Sequence, residues 1–394
     1  MNMTVKPPVL QGVTIIDADT HIAEVYDLWT SRAPAAYKSR VPQVKSVDGE
    51  LAWVIDGDTK MGPAFATCCI RRDGSKSIGS EFTKWKFEDA FEGAYDPKAR
   101  VAYMDGAGIT AQIAYPNLLG FGNQKSMGVD ADLRYVTTQI YNDAMLELQK
   151  ASGNRIYPQA LMPWWNLDQC LAEAERCHKL GSRGINLNSN PQNHGLPVLS
   201  DKHWYPLWEL CIDKDLPVNF HIGGGFENSS WFGTGGWIKD NTTAQLAFGS
   251  SMMFVSNYQV LANILISRML ERFPTLKIVS VESGVGWIPF MLECLEYHMQ
   301  SEKIAYDVPL SDVFQRQMYG CCWFESRRIV ETTRSLGTNN VMIQTDFPHP
   351  VCQYPDSLNF MAKAAAGFTP EERVKVFGGN AAKVYNIPVN ELNA

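Results

Sequence analysis

The sequence has no long apolar run, no basic block and no paired Cys-x-x-Cys pattern. Each absence removes a class of function. No stretch approaches the roughly 18 consecutive apolar residues of a membrane span, so no membrane partner is expected. Lys and Arg number 35 against 42 Asp and Glu, a formal net charge of −7. With no basic stripe, no nucleic-acid partner is expected. The nine cysteines are odd in number and include the neighbours Cys68-Cys69 and Cys321-Cys322. That usage suits neither a disulfide framework nor a paired zinc motif, and reduced thiols in a cytoplasmic protein are expected. The opening MNMTVKPPVLQG lacks the apolar centre of a secretory signal. Linkers, low-complexity runs and obvious repeats are also missing.

What remains is ordinary globular material: 394 residues, 45% hydrophobic and 20% charged. That length suits two modest domains or one large α/β barrel. The pattern decides between them. Short apolar, β-rich runs alternate with helical stretches, which argues for βα units and a parallel sheet. The candidate strands are Val13–Asp19, Ala111–Tyr115, Tyr157–Met162, Gly184–Asn188, Pro217–His221, Leu276–Glu282, Cys321–Phe324 and Val341–Asp346. Helical patterns at Asp130–Ala151, Leu167–Leu180, Tyr205–Lys214 and Ala244–Phe273 lie between them. Eight strands in series favour a closed (β/α)₈ barrel over an open doubly wound sheet. The expected fold is an α/β, TIM-type barrel forming a single domain over 1–394. An insertion of about residues 29–100 separates strands one and two, with a hairpin turning at Asp56-Gly57.

Charge interrupts these apolar strands at their carboxyl ends. The first ends in Asp17-Ala18-Asp19-Thr20-His21 and the fifth in Phe220-His221. The sixth ends in Glu282-Ser283-Gly284 and the eighth in Asp346-Phe347-Pro348-His349. A barrel gathers all such ends on one rim, where active sites lie. Strict alternation would put Asp17, Asp19 and His21 on one side of their strand. Asp19 and His21 then form one arm around a divalent ion, with His221 and Asp346 as further ligands. Zn²⁺, Mn²⁺ and Fe²⁺ all accept this mixture of imidazole and carboxylate. Singly, each residue has an ordinary structural explanation: a turn, a cap or a satisfied core histidine. Their coincidence on one rim is what argues for a site. The glycine- and aromatic-rich segment 223–248 reads either as a surface loop or as a lid over that site.

These residues resemble a known family. Asp17-Ala18-Asp19-Thr20-His21-Ile22-Ala23-Glu24 is similar to the first-strand motif of the amidohydrolase-related group of the amidohydrolase superfamily. That group includes aminocarboxymuconate semialdehyde decarboxylase and the resorcylate-type decarboxylases. The resemblance continues in Met104–Ile109, Phe220-His221, Glu282–Pro289, Thr345–His349 and the closing Val376–Tyr385. It implies a distorted (β/α)₈ barrel holding one divalent metal on Asp19, His21, His221 and Asp346. It also implies a homodimer or larger assembly. Two departures stand out. Many members have His or Glu where this chain has Asp19, and the more anionic set leans toward a harder ion such as Mn²⁺. The familiar decarboxylases carry a catalytic His after strand six, where this chain has Glu282.

The expected function is therefore a metal-dependent hydrolase. It would use metal-activated water on an amide, ester, thioester or C–C ketone bond of a small aromatic or carboxylated molecule. Asp346, Glu282 and His221 are its expected catalytic groups. Arg183 is a candidate partner for a substrate carboxylate, or equally a structural ion pair. Trp165 and His349 are further substrate-binding candidates, and Trp164, Trp231 and Trp287 are alternatives for an aromatic wall. The first alternative function is a non-oxidative decarboxylase of an aromatic or unsaturated acid. The second is a non-catalytic, ligand-binding barrel.

Overall fold

The computed structural model describes residues 6–225 and 237–392. Trp231 and the middle of the glycine-rich segment lie outside the described residues. The strands are β1 (Ile16–His21), β2 (Gln43–Val47), β3 (Glu50–Ile55), β4 (Thr59–Pro63), β5 (Ala111–Tyr115) and β6 (Ile156–Pro158). They continue with β7 (Ala160–Leu161), β8 (Ile185–Asn186), β9 (Val218–His221), β10 (Ile278–Val281), β11 (Met318–Cys322) and β12 (Val341–Ile343).

Strands β1-β5-β6 form one parallel run, and β7-β8-β9-β10-β11-β12 form another. Strands β6 and β7 are two halves of one strand interrupted at Gln159, whose N–H bonds the Ala114 carbonyl at 2.8 Å. The runs also meet at the other edge. The Asp346 N–H donates to Asp19 O at 2.9 Å, and the His21 N–H donates to Phe347 O at 2.8 Å. This closes an eight-stranded α/β barrel. Its interior is filled by Ile16, Ala18, Ile113, Tyr115, Val279, Val281, Cys321 and Met342. Each fully buried branched side chain there contributes about 1.5–3 kcal/mol relative to exposure.

The helices follow their sequence signals. Ala131–Ala151 is capped by Asp130, whose side chain accepts the Leu133 N–H. Leu167–Leu180 is capped by Asn166 and stops at Gly181 in the left-handed region. The expected helix 244–273 instead runs Thr242–Ile266 and breaks at Arg268, at φ 61°. Between β1 and the helix Pro97–Ala107, the chain folds into the antiparallel sheet β2-β3-β4 and short 3₁₀ turns. The three-residue β3–β4 turn, between the paired Ile55 and Thr59, has Asp56 at φ 52° and Gly57 at φ 91°, the left-handed region that Asp and Gly tolerate.

One expectation fails within β1. Its register against β5 shifts between Asp17 and Thr20. The extra residue reverses the facing of the strand. Ile16 and Ala18 enter the barrel interior, while Asp17 accepts hydrogen bonds from Thr345 N, Thr345 Oγ1 and Gln112 Nε2. Beyond the bulge, Asp19 and His21 turn to the rim. Asp17 therefore ties β1 to the end of β12 rather than joining the ligands. Burial raises its pKa to about 7, against the pull of the Thr345 and Gln112 hydrogen bonds.

Candidate active site

The carboxyl ends of β1, β9, β10 and β12 bring Asp19, His21, His221, Glu282 and Asp346 together. His21 Nε2 lies 3.6 Å from Asp19 Oδ1, 3.3 Å from Asp346 Oδ1 and 3.9 Å from Glu282 Oε2. His221 Nε2 lies 3.7 Å from Asp19 Oδ1 and 3.1 Å from Glu282 Oε2. Ligands about 2.1 Å from one ion stand about 3.0–3.5 Å apart, so the spacing suits a common centre. Two overlapping sets have all their donor atoms within 4.8 Å: Asp19, His21, His221 and Glu282, and His21, Glu282, Asp346 and His349.

The donor set supports a cation on independent grounds. Both oxygens of Asp19 and of Asp346, His21 Nε2, His221 Nε2 and Glu282 Oε2 are buried without a hydrogen-bond partner. Buried polar atoms are almost always paired, and seven bare donors converging on one point fit a divalent ion. The far side of one ligand is already set. His221 Nδ1 lies 3.0 Å from the Ile222 carbonyl, which leaves Nε2 aimed at the centre.

Backbone conformation helps place two of the groups. Glu282 and Asp346 both adopt φ 55°, a region costing about 1–3 kcal/mol for residues other than glycine. The neighbouring chain compensates: Gln344 Oε1 accepts the Glu282 N–H at 3.1 Å, and Asp19 O accepts that of Asp346. The buried Arg100 bonds the His21 carbonyl and, at 3.0 Å, Gln112 Oε1, which braces the end of β1.

Electrostatics separate the carboxyls. Burial, then Asp346 and Glu282, push Asp19 well above its usual range. Burial and Asp346 do the same to Glu282. Burial also works to raise Asp346, but His349 and His21 hold it low, at about 2. Burial, then His349, lower His21 to about 4. Burial and His21 carry His221 well below its ordinary value. Burial therefore favours the neutral, ligating form of the imidazoles and disfavours the ionised forms of Asp19 and Glu282 in the metal-free chain.

The sign of the pH dependence follows. Raised carboxyl pKa values stabilise the metal-free protein below their unfolded values near 4, and that contribution is lost as pH rises through the folded values. The lowered histidine pKa values act at the other end. Their contribution is present above about 6.5 and lost as pH falls through the folded values. The thermal stabilisation conferred by Mn²⁺ is expected to grow from about pH 6 to pH 8, as proton competition fades. Scanning calorimetry of stripped and loaded protein measures it. A stabilisation that shrinks with pH would count against this site.

A cavity of about 230 Å³ adjoins the cluster, lined by Glu24, Trp53, Phe65, Thr67, Asn117, Phe121, Lys125 and His349 among others. His349 links the two: its Nδ1 lies 3.0 Å from Asp346 Oδ1, and its Nε2 lies 2.9 Å from Asn117 Oδ1. Phe121 packs on His221 with ring centroids 4.0 Å apart. His349 is thus where a substrate-binding residue was expected. Two other candidates are not. Arg183 precedes β8, at the opposite end of the barrel from the ligands, and its field acts on Tyr157 and His178. Trp165 packs on Trp164 and under the Arg134 guanidinium, away from the cavity wall. Trp164 is fully buried and Trp287 bonds Ser283 O, so neither lines the cavity. The aromatic wall comes instead from Trp53, Phe65 and Phe121, which carried no motif signal.

Comparison with known proteins agrees with this geometry. The amidohydrolase family model matches residues 16–387. A curated relative, 2-keto-4-carboxy-3-hexenedioate hydratase of Sphingobium sp., is 29% identical over 142 residues, covering 35% of this chain. The match spans only 36% of that relative's length. Among solved structures, an amidohydrolase from Mycobacterium avium subsp. paratuberculosis K-10 aligns with a TM-score of 0.73 and 17% identity, over 95% of this chain and 99% of its own. The 5-carboxyvanillate decarboxylase of Novosphingobium aromaticivorans, with manganese and 4-hydroxy-3-methoxy-5-nitrobenzoic acid, aligns with a TM-score of 0.64 and 14% identity, over 98% and 100%. The dihydroxybenzoic acid decarboxylase of Polaromonas sp., with manganese and 2-nitroresorcinol, gives 0.60 and 16%, over 95% and 97%. No helix among the described residues is long and apolar enough to cross a membrane. The family match across nearly the whole chain, on a barrel whose rim gathers the buried His, Asp and Glu donors, makes this chain a member of the amidohydrolase family and a metal-dependent enzyme of that superfamily.

Proposed function

We propose that this chain is a manganese-dependent non-oxidative decarboxylase of a small aromatic or unsaturated carboxylic acid, built as one barrel domain. This reverses the order of the two enzyme readings above. The observation that carries it is the division of labour among the buried groups. The side chains of Asp19, His21, His221 and Asp346 are 0% exposed, whereas that of Glu282 keeps 8%. We assign the four fully buried groups to the ion and the slightly more open Glu282, whose pKa burial and Asp346 push up, to the proton. Pairs of carboxyls with pKa values pushed apart mark acid and base assignments. The decarboxylases of similar fold bind manganese and aromatic acids or phenols, in keeping with this reading.

When bound, the cation would draw the substrate's carboxylate and an adjacent oxygen into place and offset negative charge. The chain's own groups supply the rest. Trp53, Phe65 and Phe121 enclose the flat part of the substrate and exclude water. As the bond to the carboxylate breaks, its electron pair stays on the substrate carbon and CO₂ leaves. Glu282 delivers its proton to that carbon and is recharged from solvent. The cavity is smaller than the roughly 300–1,000 Å³ common for drug-sized ligands, so a single ring or short chain is the fitting size.

A second reading is a hydratase, favoured by the partial match to the curated relative. Glu282 would then move a proton to or from carbon as water adds across a double bond. The discriminating experiment incubates the manganese-loaded protein in D₂O with hydroxybenzoates and unsaturated dicarboxylates. Release of CO₂, with deuterium at the vacated carbon, is expected. Water addition without CO₂ would select the hydratase. Hydrolysis of amides or esters, with neither, would restore the hydrolase.

A further inference from the structure

We propose that the cavity recognises a second anionic group on the substrate, a carboxylate held by Lys125, so that the preferred substrates are dicarboxylates. This rests on the decarboxylase reading and adds the substrate class. Lys125 and His349 line the same cavity, which places a cation in the chamber that adjoins the ligand cluster. Among the described residues, Lys125 forms no ion pair with any carboxylate. The acid nearest to hand is already engaged: Glu24 Oε1 accepts the N–H groups of Asn117 and Leu118, each at 3.0 Å. Desolvation lowers the Lys125 pKa, with the field of Glu24 acting the other way. Lys125 itself is exposed, so it stands on the solvent side of the cavity, where a ligand filling the cavity would shield the ion pair from water.

The segment carrying Lys125 is held in place. Its N–H bonds Leu119 O at 3.1 Å, within a turn opened by Gly120 at φ 81°. The adjacent Gln124 spans two loops, accepting the Gly122 N–H at 2.9 Å and donating to Gly223 O at 2.8 Å. Gly223 lies two residues beyond His221. A Cβ at Gly122 would overlap the Gly224 carbonyl oxygen, so only glycine permits this approach. Asn123 donates to Thr138 Oγ1 at 2.9 Å, which fixes the turn to the helix Ala131–Ala151. The lysine is therefore presented from a braced turn tied to the loop of a metal ligand. Such bracing gives a binding residue a defined position before the substrate arrives.

The test uses two unreactive probes that differ by one carboxylate, 2-nitrophenol and 4-hydroxy-3-nitrobenzoate. Titration calorimetry on manganese-loaded protein gives the ratio of their affinities. We expect the carboxylate-bearing probe to bind at least about tenfold tighter, the scale of one charged hydrogen bond. In Lys125→Met the ratio should fall below about threefold, and in Lys125→Arg most of it should return. Equal binding of the two probes by the unmodified protein would overturn the proposal, as would an undiminished ratio in Lys125→Met. Neither probe is decarboxylated, so the ratio is read whatever the reaction. If no acid yields CO₂ while the ratio depends on Lys125, the decarboxylase reading falls and the anion site stands.

Discussion

Replacing His21 and His221 together by alanine is expected to yield protein with less than about a tenth of a metal ion per chain, against about one for the unmodified protein. Turnover should be undetectable. These imidazoles are the two neutral donors in an otherwise anionic set, and both face the centre through Nε2. Their loss leaves Asp19, Glu282 and Asp346 as buried carboxyls without a cation or a neutral ligand between them. Burial and mutual repulsion already push Asp19 and Glu282 to hold protons, and without the imidazoles the protonated forms win outright. Elemental analysis of protein purified with Mn²⁺ measures the effect. Full occupancy in the double variant would place the metal elsewhere. Circular dichroism guards against simple unfolding, since His21 and His221 bear no part of the barrel's interior cluster.

Glu282→Gln is expected to retain its metal yet lose about 10²–10⁴-fold in kcat, the usual contribution of a positioned general acid. Glutamine preserves the shape of the side chain and the hydrogen bond from the Glu282 N–H to Gln344, which belongs to the backbone. It cannot donate a proton to carbon. If Glu282 acts on the reacting carbon rather than holding the substrate, as proposed, KM should change much less than kcat. Two results would redirect the mechanism. Undiminished turnover would remove Glu282 from it. Loss of the metal would make Glu282 a ligand, which its 3.1 Å contact with His221 Nε2 allows for.

Much of the architecture was legible in the chain. Short apolar runs marked every barrel strand to within a few residues, because parallel strands buried on both faces read as continuous hydrophobic stretches. Ala111–Tyr115 was read with its observed ends, and Asp56-Gly57 turned its hairpin as expected. The first strand of that antiparallel sheet, Gln43–Val47, went unread since it is only half buried and weakly alternating. The cavity was harder. Arg183 and the paired tryptophans suited an anionic aromatic substrate by residue type, yet position along the strand decides which rim a residue joins. Arg183 precedes its strand and so belongs to the opposite rim. Trp53 comes from β3, Phe65 from the loop after β4 and Lys125 from a distant turn, and nothing local marks them as neighbours.

The opening absences, and the strand-end charges set against them, carried the class of the protein: an α/β barrel whose strand ends gather Asp19, His21, His221 and Asp346 as candidate metal ligands. Those conclusions depend on residue type and strand period, both of which are local. Three things required the folded chain. The bulge in β1 separated Asp17 from the ligands, because one extra residue reverses a strand's facing. Closure of the barrel brought Glu282 beside His21 and His221, and burial with Asp346 pushed its pKa up, since solvation depends on everything packed around a group. The meeting of three distant loops placed Lys125 and His349 in one small cavity. Such properties belong to distances between residues far apart in the chain, and only the tertiary structure sets them.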